Sequence, residues 1–443
     1  MIKLFFSITI AKVISQLSRL IPFIGGSALP GLIALKLNPT LINQISKKNQ
    51  LKSIIVTGTN GKTTTSRLLG KILKTNNIKY IHNRAGSNLL RGIASTLINQ
   101  SNNFGKIDKK LAIWEVDEAI VPQAIKQLNP SIILFNNLFR DQLDRYGEID
   151  SISNKWKQGV NNLSKNTKLI INVDDPSLNY LSQSLKAKTT LITFGLSKSL
   201  SQQQTLSHTA DAIFCPKCHQ PLKFTSIFTS HLGHYQCLQC NFKRSTPNNS
   251  LNKKITTNLP GIYNQYNILA ATTIAKTLNL PQASINTAIK NFKPAFGRAE
   301  TFKDKDKSVQ ILLVKNPTGF NTVLETLNKN KQLTNSPLFL ILNDLIADGT
   351  DVSWIWDVDF EILKSRKTPI IISGLRAYDL ALRLKYAGIN PKLIQLQPKL
   401  SKAFNQFINL KGKQAYILPT YTAMLSLREI LRQKKLIHSS WKD

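Results

Sequence analysis

The chain has 443 residues, a length that suits about three domains, each burying its own core. Apolar residues make up 42% and charged residues 19%, a globular balance that excludes a disordered chain. Lys and Arg number 59 against 24 Asp and Glu, so the formal charge is +35. That excludes an acidic, solvating protein and points to an anionic partner: nucleotide, nucleic acid or membrane surface.

Residues 1–50 read as an N-terminal amphipathic segment. Phe6, Ile10, Val13, Leu17 and Ile21 recur at helical spacing, with Lys3, Lys12 and Arg19 between them. No uncharged run reaches the ~18 residues that span a bilayer, and Lys12 interrupts the apolar core a secretory signal needs. Two placements stay open, packing on the next domain or peripheral contact with anionic lipid. The expected location is cytoplasmic, including the inner face of the membrane.

From Ser53 a β-branched run (Ile54, Ile55, Val56) leads through Gly58 into the helical pattern Leu68, Leu69, Ile72, Leu73. Short apolar runs follow at 111–114, 132–135, 169–173 and 191–194, separated by helical stretches, which predicts βα units and a parallel sheet. Residues 200–257 break this rhythm with Ser, Gln, Asn and all four Cys, so they read as an insertion. Beyond a boundary near 296–301, apolar runs at 311–314, 338–342, 370–373 and 416–419 alternate with helices again and predict a second α/β domain.

Thr57-Gly58-Thr59-Asn60-Gly61-Lys62-Thr63-Thr64 has the strand–loop–helix context of a phosphate-binding loop. Gly58 and Gly61 free the backbone N–H groups to point at phosphate oxygens, Lys62 can reach the β/γ-phosphates, and the Thr63 hydroxyl can ligate Mg²⁺. Val56 stands where the general pattern has Gly, so the loop is a variant. Cys215-Pro216-Lys217-Cys218 and Cys237-Leu238-Gln239-Cys240 lie 18 residues apart, the spacing of a closed four-sulfur Zn²⁺ site of the ribbon type. His219, His231 and His234 are not needed by such a site. The insertion has few cations (Lys217, Lys223, Lys243, Arg244) and no basic–aromatic stripe, so nucleic acid is disfavoured as a partner.

These motifs resemble the Mur ligases of peptidoglycan precursor synthesis, a family that includes folylpolyglutamate synthase. The loop Gly58–Thr64 is similar to that family's nucleotide loop. Trp114-Glu115-Val116-Asp117 is similar to its strand-end Glu motif, which implies Glu115 as a Mg²⁺ ligand beside Thr63. Asn137 to Asp144 resembles a further segment, with Gln142 in place of the family's His. The resemblance extends to Gly261–Asn267, which implies Asn264 and Asn267 at the nucleotide, and to Phe296–Glu300, which implies Arg298 near the phosphates. The implied fold is α/β: a Mur ligase-like P-loop central domain over residues 51–298, an inserted four-Cys zinc ribbon at about 205–250, and a Rossmann-like C-terminal domain over 299–443.

Within the family, the four-Cys insertion and the segments 315–321, 343–357 and 373–388 are similar to a branch that amidates. That resemblance implies ATP, Mg²⁺ and Zn²⁺, with amidation of the α-carboxylate of D-glutamate in the lipid II stem peptide through an acyl phosphate. Ammonia would come from a separate GatD-type glutaminase in a heterodimer, completed by Asp351 as the third member of its triad; Asp348 and Asp357 are the alternatives. Capping of the helix that carries Trp354, Ile355 and Trp356 is a compatible role for Asp351. Two rival readings stand beside this one: a Mur ligase that adds an amino acid unaided, and a zinc-ribbon NTPase that binds nucleic acid.

Overall fold

Strand β1 (Lys52–Thr57) is buried on both faces: Ile55 points into one apolar layer, while Ile54 and Val56 point into the other. A strand buried on both sides reads as a continuous apolar run and sits in the middle of a parallel sheet. The computed structural model describes residues 2–20, 28–84, 87–141, 149–161, 163–185, 189–200, 205–207, 210–257, 259, 261–293, 298–329 and 333–437, apart from the side chains of 18–20, 298 and 299.

With β1, the strands β2 (Tyr80–His82), β3 (Leu111–Glu115), β4 (Ile132–Phe135), β5 (Lys168–Asn172) and β6 (Thr190–Leu196) form the central sheet. An antiparallel hairpin, β7 (Leu222–Thr229) and β8 (Leu232–Cys237), then leaves the sheet, and β9 (Asn249–Leu251) returns to it. The order is β2-β3-β1-β4-β5-β6-β9, with every neighbouring pair parallel. Helices α1 (Ile2–Leu20), α2 (Leu29–Leu37) and α3 (Leu41–Lys48) share one core layer with α5 (Leu90–Gln100), while α4 (Lys62–Thr75) and the helix Ile262–Thr277 fill the other. Leu68, Leu69, Ile72 and Leu73 of α4 are fully buried, each worth roughly 1.5–3 kcal/mol over an exposed position.

In α1 the buried apolar residues are Leu4, Ile8 and Ala11, among the described side chains. The recurring apolar stripe seen in the sequence, Phe6, Ile10, Val13 and Leu17, faces outward; Ile21 lies outside the described residues. Among the described residues, no helix is long and apolar enough to cross a membrane.

The second domain has β10 (Arg298–Asp304), β11 (Lys307–Leu312), β12 (Leu338–Ile341), β13 (Ile370–Ser373), β14 (Ile394–Leu396) and β15 (Gln414–Pro419). Its order is β10-β11-β15-β12-β13-β14, parallel except for the edge pair β10–β11. In the central sheet, β1 lies between β3 and β4, where the chain reverses direction of winding. The crevice beyond the carboxyl ends of such strands is the ligand position in open α/β sheets.

Candidate active site

The loop Gly58–Gly61 fills that crevice. Gly58 has φ +131° and Gly61 has φ +88°, conformations that strain any side chain. A Cβ at Gly61 would also fall 2.0 Å from Asn267 Oδ1. Gly61 caps α4 without a side-chain acceptor, so the first amides of that helix remain available to an anion. The loop is braced from behind: Asn60 N donates to Asn137 Oδ1 at 2.8 Å, and the Thr59 hydroxyl bridges the Phe139 carbonyl (3.1 Å) and amide (2.9 Å).

Lys62 is buried, and its Nζ lies 2.6 Å from the Gly58 carbonyl and 2.8 Å from Glu118 Oε2. Burial alone would lower its pKa, but the Glu118 and Asp117 carboxylates hold it above the ordinary lysine value. Glu115, at the end of β3, accepts from the Thr63 hydroxyl at 2.9 Å and the Ser66 hydroxyl at 2.7 Å. His82 Nε2 lies 3.4 Å from the same carboxylate. Arg84 Nε donates to His82 Nδ1 at 3.4 Å, which leaves Nε2 turned toward Glu115. Burial pushes the Glu115 carboxyl up, yet His82, Ser66 and Thr63 outweigh it and hold the pKa at about 2. Glu115 is therefore ionised at neutral pH, a hard oxygen ligand beside a hydroxyl, which is the donor set that suits Mg²⁺.

The helix Ile262–Thr277 brings the other expected residues in. Asn267 Nδ2 donates to Asn264 Oδ1 at 3.1 Å, and Asn267 Oδ1 accepts from Asn136 Nδ2 at 3.2 Å. A cavity of about 110 Å³ opens between this helix, the loop and the C-terminal domain, lined by Asn60, Gly61, Thr64, Asn264, Asn267 and Lys315 among others. The C-terminal domain reaches across it: Asn316 Nδ2 donates to Asn60 Oδ1 at 3.1 Å, and Lys315 pairs with Asp141. Gly58 to Thr64, Glu115, Asn264 and Asn267 are thus gathered in one place. The Arg298 side chain and Gln142 lie outside the described residues.

Sequence reasoning missed His82, Glu118, Lys315 and Asn316 as site residues. Glu118 lies three positions past the Glu115 motif, and its signal was a buried cation, Lys62, in want of a counter-ion. Lys315 and Asn316 stand in the segment 315–321, whose residues give no sign in the sequence that they reach the phosphate loop.

The four cysteine sulfurs all lie within 4.8 Å of one another, with Cys215–Cys240 at 3.5 Å and Cys218–Cys237 at 3.4 Å. A tetrahedron with Zn–S of about 2.3 Å has edges of about 3.8 Å, so these residues fit zinc. His231 and His234 serve elsewhere. His231 is buried 3.5 Å from Asp175, with its ring 4.6 Å from that of Phe139, and His234 Nε2 lies 3.2 Å from the Leu196 carbonyl.

Asp351 does not line the cavity. It is exposed on the loop after β12, where it accepts from Ser353 N (2.8 Å) and Ser353 Oγ (2.9 Å) at the start of a short 3₁₀ helix, Ser353–Asp357. Asp348 turns inward and accepts from the Thr422 amide at 2.8 Å, and Asp357 lies 3.6 Å from Arg140. Of the three candidates, Asp351 is exposed, Asp357 half-buried and Asp348 buried.

The layout is shared with solved structures. A pseudomurein peptide ligase type C from Methanothermus fervidus superposes with a TM-score of 0.65 at 20% identity, over 88% of this chain and 80% of that one. MurF from Acinetobacter baumannii gives 0.61 at 16%, over 90% and 80%. The fold and the loop with its strand-end glutamate define a Mur ligase-type protein, and residues 56–275 match the Mur ligase middle domain. Residues 313–424 match the MurT ligase C-terminal domain. The chain is 36% identical to the MurT subunit of lipid II isoglutaminyl synthase (glutamine-hydrolyzing) from Staphylococcus aureus, over 96% of this chain and 97% of that one. Identity to the Streptococcus pneumoniae subunit is 33%, over 96% and 95%. The chain belongs to the MurT family.

Proposed function

We propose that the protein is the ligase subunit of a glutamine-dependent synthase that amidates the α-carboxylate of D-glutamate in the lipid II stem peptide. The carrying observation is the ionised Glu115 bonded at 2.9 Å to the Thr63 hydroxyl, next to Lys62 and the phosphate loop. ATP would lay its phosphates on the amides of Gly58 to Thr64, with Asn264, Asn267 and Arg298 around the rest of the nucleotide. Mg²⁺ held by Thr63 and Glu115 would neutralise charge on the β- and γ-phosphates.

The substrate carboxylate oxygen attacks the γ-phosphorus and ADP leaves, giving an acyl phosphate. Ammonia then attacks the acyl carbon, phosphate departs, and loss of a proton leaves the amide. Lys62 balances the developing negative charge, and the Lys315–Asn316 segment covers the loop against water. The four cysteines would hold a structural Zn²⁺, closed to substrate.

Ammonia would come from a GatD-type glutaminase partner in the cytoplasm. Around Asp351, the loops after β12 and β13 and the helix Ala377–Tyr386 expose Ile346 (84%), Leu375 (60%), Tyr378 (67%) and Tyr386 (71%). An apolar patch of this kind marks a protein interface. Asp351 would orient a partner histidine and stabilise its imidazolium. In the purified heterodimer, Asp351→Ala should abolish glutamine-dependent amidation and spare amidation from free ammonia. Retained glutaminase activity would refute the assignment of Asp351, and loss of both activities would refute its separation from the ligase site.

A further inference from the structure

Helix α1 has two apolar faces, and only one is used by the fold. Leu4, Ile8 and Ala11 are buried against the domain. Phe6 (57%), Val13 (50%) and Leu17 (54%) stand in solvent on the other side. The loop after α5 extends that face: Phe104 is 62% exposed, and its ring lies 5.1 Å from that of Phe5. Two lysines grip this loop. Lys48 Nζ donates to the Phe104 carbonyl at 2.8 Å, and Lys12 Nζ donates to the Ser101 carbonyl at 2.6 Å. Lys3, Lys36 and Lys47 are exposed nearby in sequence.

The charge around this face is one-sided. Residues 1–50, which carry the three helices on this side of the sheet, hold six Lys and Arg and no Asp or Glu.

We propose that this face docks on an anionic lipid bilayer, with α1 lying in the interface plane. A helix of 19 residues is about 28 Å long, and with lysines along it the arrangement suits insertion of the apolar face to headgroup depth. The charge selects the occupant. Two copies of the face would bring unneutralised cations together, whereas an anionic leaflet supplies both the counter-charge and the apolar phase. The face is also tied to the candidate site: Asn83 and Asn88, just before α5, bond to Glu115 and Asp117. A substrate on a lipid anchor would then approach from the bound side. Docking itself rests on the surface alone and not on the proposed reaction.

The test is sedimentation of the full chain, bound to its partner subunit, with vesicles of phosphatidylcholine alone or with about one-third phosphatidylglycerol. The anionic vesicles should bind at least about tenfold more tightly, and high salt should release the protein. The double variant Phe6→Ser/Val13→Ser should lose about tenfold or more, and Lys36→Gln/Lys47→Gln severalfold, with thermal midpoints unchanged because these side chains are exposed. Equal binding by parent and Phe6→Ser/Val13→Ser overturns the proposal, as does equal affinity for neutral vesicles. A concentration-dependent dimer in ultracentrifugation that Phe6→Ser/Val13→Ser abolishes also overturns it, in favour of a second copy. No turnover is read, so failure here leaves the amidation reading standing.

Discussion

Asn316 of the C-terminal domain donates to Asn60 Oδ1 of the phosphate loop across 3.1 Å. The two residues are 256 positions apart and lie in loops that follow strands of different sheets, so this bond reports closure of one domain on the other. A hydrogen bond of this kind is worth about 1 kcal/mol net. Asn316→Ala should therefore raise the KM for ATP by about fivefold, measured in ammonia-dependent amidation, with glutaminase activity unchanged.

Lys62 and Glu118 form a buried pair that a nucleotide must reorganise. Removing the charge of Glu118 strands a buried ammonium, and breaking such pairs costs about 3–5 kcal/mol. Glu118→Gln should lower the melting midpoint of the nucleotide-free protein by several degrees. It should also gain more on addition of ATP and Mg²⁺ than the parent does, because phosphate then supplies the missing counter-charge. Scanning calorimetry with and without nucleotide reads both effects.

Glu115 has its folded pKa depressed from 4.5 to about 2. A depressed carboxylate stabilises the fold fully above its unfolded value and loses that contribution as pH falls through about 4.5 towards about 2. The gap corresponds to about 3 kcal/mol. Acid unfolding of Glu115→Gln should be correspondingly shallower over that window. At neutral pH the same variant should lose Mg²⁺-dependent ATP turnover by about 100-fold or more.

Arg244 joins the ribbon to the central domain through Asp174, with Nε 2.5 Å from Oδ1. Asp174 is fully buried, and burial pushes its pKa up despite Arg244, the Leu196 amide and the Tyr266 hydroxyl. Without the guanidinium the buried carboxylate becomes costlier the more it ionises. Arg244→Met should thus lose more stability at about pH 8 than at about pH 5, seen in paired thermal melts. Cys215→Ser should separately lose zinc by metal analysis and open residues 205–250 to proteolysis.

Strands β1, β3, β4 and β5 were legible because each is a buried apolar run, and β6 because Leu191 to Phe194 has the same composition although its first residues are exposed. The strands β2, β9 and β14 were not, since three residues carry no period, and β10 (Arg298–Asp304) is a charged edge strand. The phosphate loop and the cysteine pairs could be read because their chemistry is contiguous in the chain. The partners of Lys62 and Glu115 could not: Glu118 and His82 arrive from other elements, and only the sheet brings them together. Helical spacing revealed the stripe on α1 but not its direction, because the helix has a second apolar face that the core takes instead.

The pairing of β6 with β9 gives the ribbon a role beyond decoration. Parallel neighbours need a long return path, ordinarily a helix laid across the sheet. Here the path from Leu196 to Asn249 runs through the cysteine hairpin, which packs back on the domain through Tyr235 and Val173. The cysteine hairpin thus stands in for a crossover helix. The last strand of the sheet depends on it, and excising the ribbon would remove that edge instead of shortening a loop.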